Sequence, residues 1–165
     1  MPKLAELNAL GREEFTRLLG PVFEHSPWVA ARTCSQRPFA SREDLHATLC
    51  ATVAKASDDE KLSLIRAHPD LIGDEEITGA SRAEQASAGL DHASPEEVKE
   101  FREYNRQYRE RFGFPFVICA RLHKKEAIAR AFPVRLRNSR EQEMQTALEE
   151  IYKIADLRLR DLINE

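Results

Sequence analysis

The chain has 165 residues, of which 42% are hydrophobic and 32% charged, a composition typical of a globular protein with one buried core. Its net charge of −3 argues against nucleic-acid binding, because neutralising phosphates requires an excess of Lys and Arg. No apolar run reaches the roughly 20 residues that cross a bilayer. The acidic N-terminal segment does not resemble a signal peptide, so we expect no membrane partner and a cytoplasmic location.

Helix-start signals recur along the chain and predict an all-α, single-domain helical bundle of about eight helices spanning residues 1–165. The clearest signals are a serine followed by proline or, three residues later, by Glu or Gln, since these residues cap a helix N-terminus. The predicted helices cover 12–19, the segment from Ser26-Pro27 onward, 41–56, 58–67, the segment from Ser81 onward, 95–111, 124–131 and 140–163.

Two segments lack a clear helical pattern. The polar stretch 72–80 contains two glycines and three acidic residues, which predicts a mobile loop. Residues 114–120, with the sequence FPFVICA, have the composition of a strand. No second alternating run is present to pair with them, so a buried strand, a buried loop and a helix entry all stay open.

Neither metal binding nor disulfide chemistry is indicated. The cysteines are odd in number and have no C-x-x-C spacing, which favours buried free thiols. The histidines outside position 68 show neither H-x-x-x-H nor H-E-x-x-H spacing. The sequence therefore predicts no metal site. The residues concerned are Cys34, Cys50, Cys119, His25, His46, His92 and His123.

His68 is the first candidate for acid–base chemistry. Pro69 disfavours helical geometry in the preceding residue, so the helix from 58 is predicted to end at or just before His68. A helix C-terminus favours the protonated imidazole, and the ordinary histidine pKa near 6.5 suits a proton donor at neutral pH. The alternative is a capping histidine without chemistry, which position alone favours.

Glu84 and Gln85 follow on the next predicted helix. The sequence Ser81-Arg82-Ala83-Glu84 fits the capping-box pattern, which predicts Ser81 as the N-cap and Glu84 as its partner. That interpretation leaves Gln85 unexplained. A helix beginning at Ser81 would also direct free N–H groups towards an anionic ligand, so residues 81–85 can both bind an anion and supply a carboxylate.

Arg158 is singled out by helical geometry. At about 100° per residue it falls in the middle of the apolar face of the last predicted helix, whereas Arg160 falls on the opposite face. A guanidinium directed into a core is costly unless it meets a carboxylate. Either an internal Asp or Glu is its partner, or it marks an anionic ligand in a pocket. The apolar face is formed by Ala147, Leu148, Ile151, Ile154, Ala155 and Leu162.

Taken together, these motifs resemble the 2-oxo-4-hydroxy-4-carboxy-5-ureidoimidazoline (OHCU) decarboxylase family. The resemblance rests on HPDL at 68–71, EQxxAGL at 84–90 and RFGFPFVICAR at 111–121, and it extends from about Asn8 to Ile163 in the family's order. It implies an all-helical, cofactor-independent, usually homodimeric enzyme that acts on a small ureide. The reaction is the conversion of OHCU, formed downstream of urate oxidation and hydrolysis, to (S)-allantoin with loss of CO2.

The resemblance also assigns site residues by position. It implies that His68 and Glu84 are catalytic, with His68 as the general acid and Glu84 as its acidic partner. The residues it implies for substrate binding are Pro69, Ser81, Arg82, Ala83, Glu84, Gln85, Phe116, Val117, Ile118, Cys119, Ala120 and Arg158.

Three other functions stay open at the level of sequence. The chain is a non-catalytic sensor of a ureide, a hydrolase in which Glu84 activates water, or a structural protein. In the structural protein His68, Glu84 and Arg158 satisfy one another. Without the resemblance, the structural protein is the first choice.

Overall fold

The computed structural model describes residues 1–73 and 76–165. Over these residues the all-α fold is confirmed, with nine α-helices and a single isolated bridge between Lys3 and Asn164 in place of a sheet. The sequence predicted about eight helices, and the additional one is a six-residue helix near the N-terminus. The helices are α1 Leu4–Ala9, α2 Arg12–Leu19, α3 Trp28–Thr33, α4 Arg42–Ala54, α5 Asp58–Arg66, α6 Gly79–Ser87, α7 Pro95–Phe112, α8 Lys125–Leu136 and α9 Arg140–Leu162.

Three of the predicted serine caps are confirmed. Ser57 accepts a hydrogen bond from the Glu60 backbone N–H and donates its own backbone N–H to the Glu60 carboxylate, both at 3.1 Å. The same reciprocal pair opens α7 at Ser94 and α9 at Ser139. These contacts satisfy N–H groups that have no partner inside the helix.

Other boundaries differ from the prediction. α3 begins at Trp28 after Pro27, and the Ser26 hydroxyl donates to the Glu24 carbonyl instead of capping the helix. α8 continues to Leu136 rather than ending near 131. It passes Pro133 because its last turns bury Phe132 and Arg135, which offsets the hydrogen bond that proline cannot donate. The loop predicted over 72–80 includes residues 74–75, which lie outside the described residues.

The chain divides into two compact units, residues 1–67 with 152–165 and residues 68–151. In the first unit α3 contacts both α2 and α4. The two ends of the chain are joined there, since Leu4 N–H donates to the Asn164 carbonyl at 2.8 Å and Asn164 N–H to the Pro2 carbonyl at 2.9 Å. Its fully buried side chains include Phe15, Leu19, Leu45, Leu49, Leu64, Leu159 and Ile163.

The second unit has an aromatic core. α7 contacts α8, and the ring of Phe116 stacks on that of Phe132 with centroids 3.9 Å apart. α7 ends at Phe112 because Gly113 adopts φ +80°, a left-handed conformation that glycine reaches without strain. The chain then enters the core as the irregular segment 114–119. The aromatic side chains buried in this unit are Phe101, Tyr108, Phe112, Phe114, Phe116 and Phe132.

No helix in the described part of the chain combines the length and the apolarity needed to cross a bilayer.

The capping box of α5 gives a direct test of these contacts. Ser57→Ala should lower the free energy of unfolding by about 1 kcal/mol, because the Glu60 N–H loses its side-chain acceptor. Ser63→Ala, at an exposed position inside the same helix, is the matched control and should change it by less than about 0.5 kcal/mol. Urea denaturation measures both, and an equal effect of the two substitutions would contradict the role of the box.

Candidate active site

His68 lies directly after a helix end, as the sequence predicted. α5 ends at Arg66 with Ala67 as its C-cap, so Pro69 stops the helix before His68. The imidazole is buried, with 6% of the residue exposed, and Pro69 is half-buried. Because His68 begins an irregular turn, the contacts that hold this turn also set the position of the imidazole.

Gln85 holds the turn that follows His68. Its side-chain oxygen accepts the Ile72 backbone N–H at 3.1 Å, and its side-chain nitrogen donates to the Asp70 carbonyl at 3.3 Å. The oxygen and the nitrogen of the amide thus both bond the main chain, four and two residues beyond His68. The sequence left Gln85 unexplained, and its structural role is to connect α6 to the HPDL motif.

Two residues of α7 hold the same turn and were missed in the sequence. Asn105 donates from its side-chain nitrogen to the Leu71 carbonyl at 2.8 Å, and Arg109 pairs with the Asp70 carboxylate at 2.9 Å. Asn105 is 5% exposed. Its side-chain oxygen is buried without a hydrogen-bond partner in the described parts of the chain. Asn105 follows Phe101 by four residues on the buried face of α7, so its position in an apolar stripe was the available signal.

The turn ends in a strained residue. Ile72 has φ +55°, a left-handed conformation that is an outlier for a β-branched side chain. Such a conformation costs on the order of 1–3 kcal/mol and persists only where the surroundings impose it. The hydrogen bond from Ile72 N–H to Gln85 is one contact that imposes it.

α6 begins earlier than the sequence predicted. Thr78 is the N-cap and its hydroxyl accepts the Ser81 backbone N–H at 3.2 Å, so the predicted cap at Ser81 and its box with Glu84 are wrong. The pattern S-x-x-E gave no way to prefer Ser81 over Thr78, which stands three residues before it. Because the helix starts at Gly79, among residues 81–85 only Ser81 has a terminal N–H, and the Thr78 hydroxyl accepts it. The Arg82 N–H donates to the Thr78 carbonyl at 2.9 Å. The free N–H groups on which the predicted anion site was based are therefore not found there.

α6 has a buried face and an exposed face. Ser81 and Ala88 are buried and Glu84 and Gln85 are half-buried, at helical spacings of three and four residues. Arg82 and Ala83, two predicted substrate-binding residues, lie on the other face with Ala86 and Ser87 and are exposed. Glu84 therefore shares a face with Gln85 and is released from any capping role.

Residues 116–120 form the second predicted part of the site. All five are buried, residues 116–119 are irregular and Ala120 begins a short 3₁₀ turn, so of strand, loop and helix entry the structure shows a buried loop that leads into this turn. The Val117 carbonyl accepts from Arg135 Nη1 at 2.6 Å, and the Cys119 N–H donates to the Glu150 carboxylate at 3.1 Å. Arg135 and Glu150 were not predicted from the sequence.

Several main-chain groups of this segment are open. Within residues 1–73 and 76–165, no hydrogen bond reaches the backbone N–H or C=O of Phe116 or Ile118. More than nine in ten buried backbone groups in proteins are paired. The Val117 N–H also has no partner in the described residues, so the buried segment leaves three N–H and two C=O groups open and is a candidate for binding a ligand with amide-like groups.

α6 brings the two parts of the site together. Through Gln85 it holds the turn after His68, and it also contacts the short turn Ala120–Leu122 that follows the irregular segment. The Ala88 carbonyl at its C-terminus accepts the Lys125 N–H at 2.9 Å. One helix that carries Glu84 thus connects the HPDL motif with the FPFVICA segment, all inside the second unit.

Arg158 lies in the first unit and has an internal partner. Its guanidinium pairs with the Glu24 carboxylate at 3.2 Å and donates to the Pro21 carbonyl at 2.9 Å. The side chains of Arg158 and Glu24 are only 6% and 2% exposed. Of the two explanations given for a buried arginine, an internal carboxylate is the one found, so its burial needs no ligand. Its assignment to substrate binding stays a prediction.

The cysteines are free thiols, as predicted, with Cys34 and Cys119 buried and Cys50 half-buried. Burial raises the pKa of Cys50 to about 12, so this thiol is not ionised at neutral pH. Across the residues that the structure describes, no three His, Cys, Asp or Glu side chains cluster closely enough to hold a metal ion.

Comparison with known proteins identifies the family. The family model described as OHCU decarboxylase matches residues 8–160. The chain belongs to the OHCU decarboxylase family. It is 46% identical over 156 residues to the OHCU decarboxylase of Haloferax volcanii, covering 94% of this chain and 93% of the relative. It is 42% identical to the protein of the same name from Amia calva, covering 97% and 94%.

Solved structures agree with this assignment. The chain is similar to a crystal structure of (S)-allantoin synthase, with a TM-score of 0.81 and 29% identity, over 99% of this chain. It spans only 54% of that chain. It also matches the fold of an OHCU decarboxylase crystallised in the presence of (S)-allantoin, with a TM-score of 0.72 and 24% identity, over 92% of this chain and 98% of the other.

The contacts of Gln85 can be tested by stability. Gln85→Leu keeps the size of the side chain but leaves the Asp70 carbonyl and the Ile72 N–H without their partner, so unfolding should become easier by about 1–3 kcal/mol. Gln107→Leu, at an exposed position on α7, is the control and should stay within about 0.5 kcal/mol of the wild type. Chemical denaturation decides, and a neutral Gln85→Leu would show that the turn is held by other contacts.

The pair of Glu24 and Arg158 yields a second stability test. Glu24→Ala leaves a buried guanidinium without its carboxylate and should cost about 3–5 kcal/mol. Glu14→Ala removes an exposed partner of Arg17, with 55% of the Glu14 side chain exposed, and should cost less than about 1 kcal/mol. Comparable midpoints of denaturation for the two variants would mean that the buried pair contributes no more than a surface pair.

Proposed function

We propose that this chain is an enzyme, a carbon–carbon lyase that decarboxylates OHCU to (S)-allantoin in the degradation of urate. Membership of the OHCU decarboxylase family supports the reaction. The observation that carries the residue assignment is the position of α6, which holds the turn after His68, carries Glu84 and contacts the end of the irregular segment.

The chemistry of the substrate suits such a site. Its carboxylate is attached to a carbon that bears a hydroxyl and adjoins both a carbonyl and a C=N carbon. Loss of CO2 leaves a carbanion that the ring delocalises, and a proton delivered to one face then gives the (S) product. The protein has to exclude water, hold the ring and supply that proton, which is general acid catalysis with positioning.

We assign the proton to His68. Its burial supports a role away from bulk water, and its imidazole is the group whose ordinary pKa suits proton donation near neutral pH. Glu84 would hold the substrate hydroxyl or tune the imidazole. Its place on α6 supports this assignment, because Glu84 is half-buried beside Gln85, whose amide holds the turn after His68.

The irregular segment would recognise the ureide. The open N–H and C=O groups of Phe116 and Ile118 match the alternating donors and acceptors of a ureido group or a ring amide. The side chains of Phe116, Val117 and Ile118 would supply apolar walls beside the departing carboxylate. Cys119 and Ala120 are the last two residues of the predicted binding segment.

The other residues implied for substrate binding remain predictions. Pro69, Ser81, Arg82 and Ala83 would line the substrate, although Arg82 and Ala83 are exposed. Gln85 would act chiefly by holding the turn, while one amide hydrogen stays available to a ligand. Five further predictions rest on the resemblance or on the sequence alone. They are Arg158 as a substrate ligand, a homodimer, a single domain over 1–165, a cytoplasmic location and independence from cofactors.

The central test is the removal of the imidazole. His68→Asn should lower turnover by about 10²–10⁴-fold while the protein stays folded, because the proton loses its donor. The substrate is generated in situ from urate, and (S)-allantoin is followed by circular dichroism, with CO2 measured in parallel. His92→Asn, at an exposed histidine, is the matched control and should keep wild-type turnover.

Each contrary result has a definite meaning. A folded His68→Asn variant with full activity would remove His68 from the mechanism. Wild-type protein that binds the ureide but releases no CO2 would be a sensor, and ring opening without CO2 would indicate a hydrolase.

A further inference from the structure

We propose that Arg135, Glu143 and Tyr108 form a positioning network that fixes the conformation of the substrate-binding segment from Phe116 to Cys119. The proposal rests on the proposed function, since it assigns these three residues a role in the same site. None of them carries a role in the chemistry described above, and all three are buried in the second unit.

Arg135 touches two consecutive residues of the segment. It donates from Nη1 to the Val117 carbonyl at 2.6 Å, and its guanidinium carbon lies 4.1 Å from the centroid of the Phe116 ring. A planar guanidinium can stack on a ring and donate in its own plane at the same time, which lysine cannot do. One side chain therefore fixes both a main-chain carbonyl and the ring next to it.

Glu143 fixes Arg135 in turn. Its Oε1 accepts from Arg135 Nε at 2.7 Å and from the Tyr108 hydroxyl at 2.6 Å, while its Oε2 accepts from Asn138 Nδ2 at 2.9 Å. Glu143 is fully buried. Burial raises the pKa of Tyr108, so the phenol keeps its proton and remains a donor to the carboxylate. The guanidinium thus has little freedom to rotate.

Stability alone does not account for this network. Replacing a buried ion pair by apolar residues of similar size is often neutral or stabilising, so a buried pair is weak grounds for a stability role. An apolar replacement, however, cannot donate to the Val117 carbonyl. Because the segment belongs to no helix or sheet, side chains have to set its main-chain conformation.

The pattern of anchors also fits recognition of a ligand. Val117 is held through its carbonyl by Arg135, and Cys119 is held through its N–H by the Glu150 carboxylate. The main-chain groups of the intervening Ile118 and of the preceding Phe116 have no protein partner in the described residues. The protein thus fixes the segment at the Val117 carbonyl and the Cys119 N–H, whereas in the described residues the Phe116 and Ile118 main-chain groups and the Val117 N–H stay open.

The test uses two substitutions, one at Arg135 and one at Tyr108. Arg135→Lys keeps the charge beside Glu143 but loses the stacked, two-acceptor geometry, and we expect kcat/KM to fall about 10–100-fold, with the same optimum pH because His68 is unchanged. Tyr108→Phe keeps the ring and loses the hydroxyl, which donates to Glu143 at 2.6 Å and accepts from Arg135 Nη2 at 3.5 Å, so a smaller fall of about 2–5-fold is expected. Amide hydrogen exchange over residues 116–119 should be faster in both.

A matched control separates positioning from stability. Thr33→Val removes a fully buried hydroxyl that bonds Thr52 and the Val29 carbonyl in the first unit. It should destabilise the protein without changing kcat, KM or exchange over 116–119. A triple variant, R135M with E143L and Y108F, replaces the network by apolar side chains. If it folds, it should regain stability relative to Arg135→Met alone and still have low activity.

The outcomes distinguish this proposal from the proposed function. If the wild type releases no CO2 from the substrate, the proposed function fails, and hydrogen exchange still shows whether the network fixes the segment. If the wild type is active and Arg135→Lys behaves like Thr33→Val in kcat, KM and exchange, the positioning role is wrong. A folded triple variant with wild-type activity, or faster exchange without loss of activity, would equally overturn it.

Discussion

The amide of Gln85 is the contact on which the candidate site depends. It bonds the main chain at Asp70 and Ile72 from one position on α6, and so sets the turn after His68 relative to the helix that carries Glu84. Without it, the turn would have to keep Ile72 in a left-handed conformation by other contacts. A glutamine suits this role because one planar group supplies both a donor and an acceptor. In the proposed mechanism, proton transfer requires a fixed position of His68 relative to Glu84, which the contacts of Gln85 with the main chain would provide.

Local signals predicted much of the helical fold, because capping depends on residues within one turn. Ser57 and Ser94 open their helices as expected, with hydrogen bonds that involve only their own third neighbour. The same rule failed at Ser81, because Thr78 offers an equivalent hydroxyl three residues earlier and is the residue that caps the helix. α8 ran past Pro133 for a similar reason, since burial of Phe132 and Arg135 is a tertiary effect that no local pattern contains.

The site was only partly accessible to the same reasoning. Arg158 was identified from the sequence as a polar residue within an apolar stripe. The same criterion applies to Asn105 on α7 and to Glu143 and Glu150 on α9, where it was not used. The partner of such a residue cannot be predicted from local sequence patterns. Glu24 lies 134 positions from Arg158 in the sequence, and nothing in its own neighbourhood marks it as buried. Motif resemblance pointed to residues 116–120, but Arg135 and Glu150, whose side chains bond Val117 and Cys119, are brought to them only by the fold.

The two buried arginines show why guanidinium groups occupy these places. Arg135 and Arg158 each bond one carboxylate and one main-chain carbonyl, at Val117 and at Pro21, and both carbonyls belong to chain outside the α-helices. A helix or sheet satisfies its own carbonyls, whereas irregular chain inside a core requires a side-chain donor. A fixed, planar donor with a carboxylate to balance its charge meets that need. Three departures from the usual rules lie beside His68 or in the segment that α6 connects to it, where binding and chemistry would make use of them. They are the strained Ile72, the Asn105 side-chain oxygen and the main-chain groups of Ile118, the last two without a hydrogen-bond partner in the described residues.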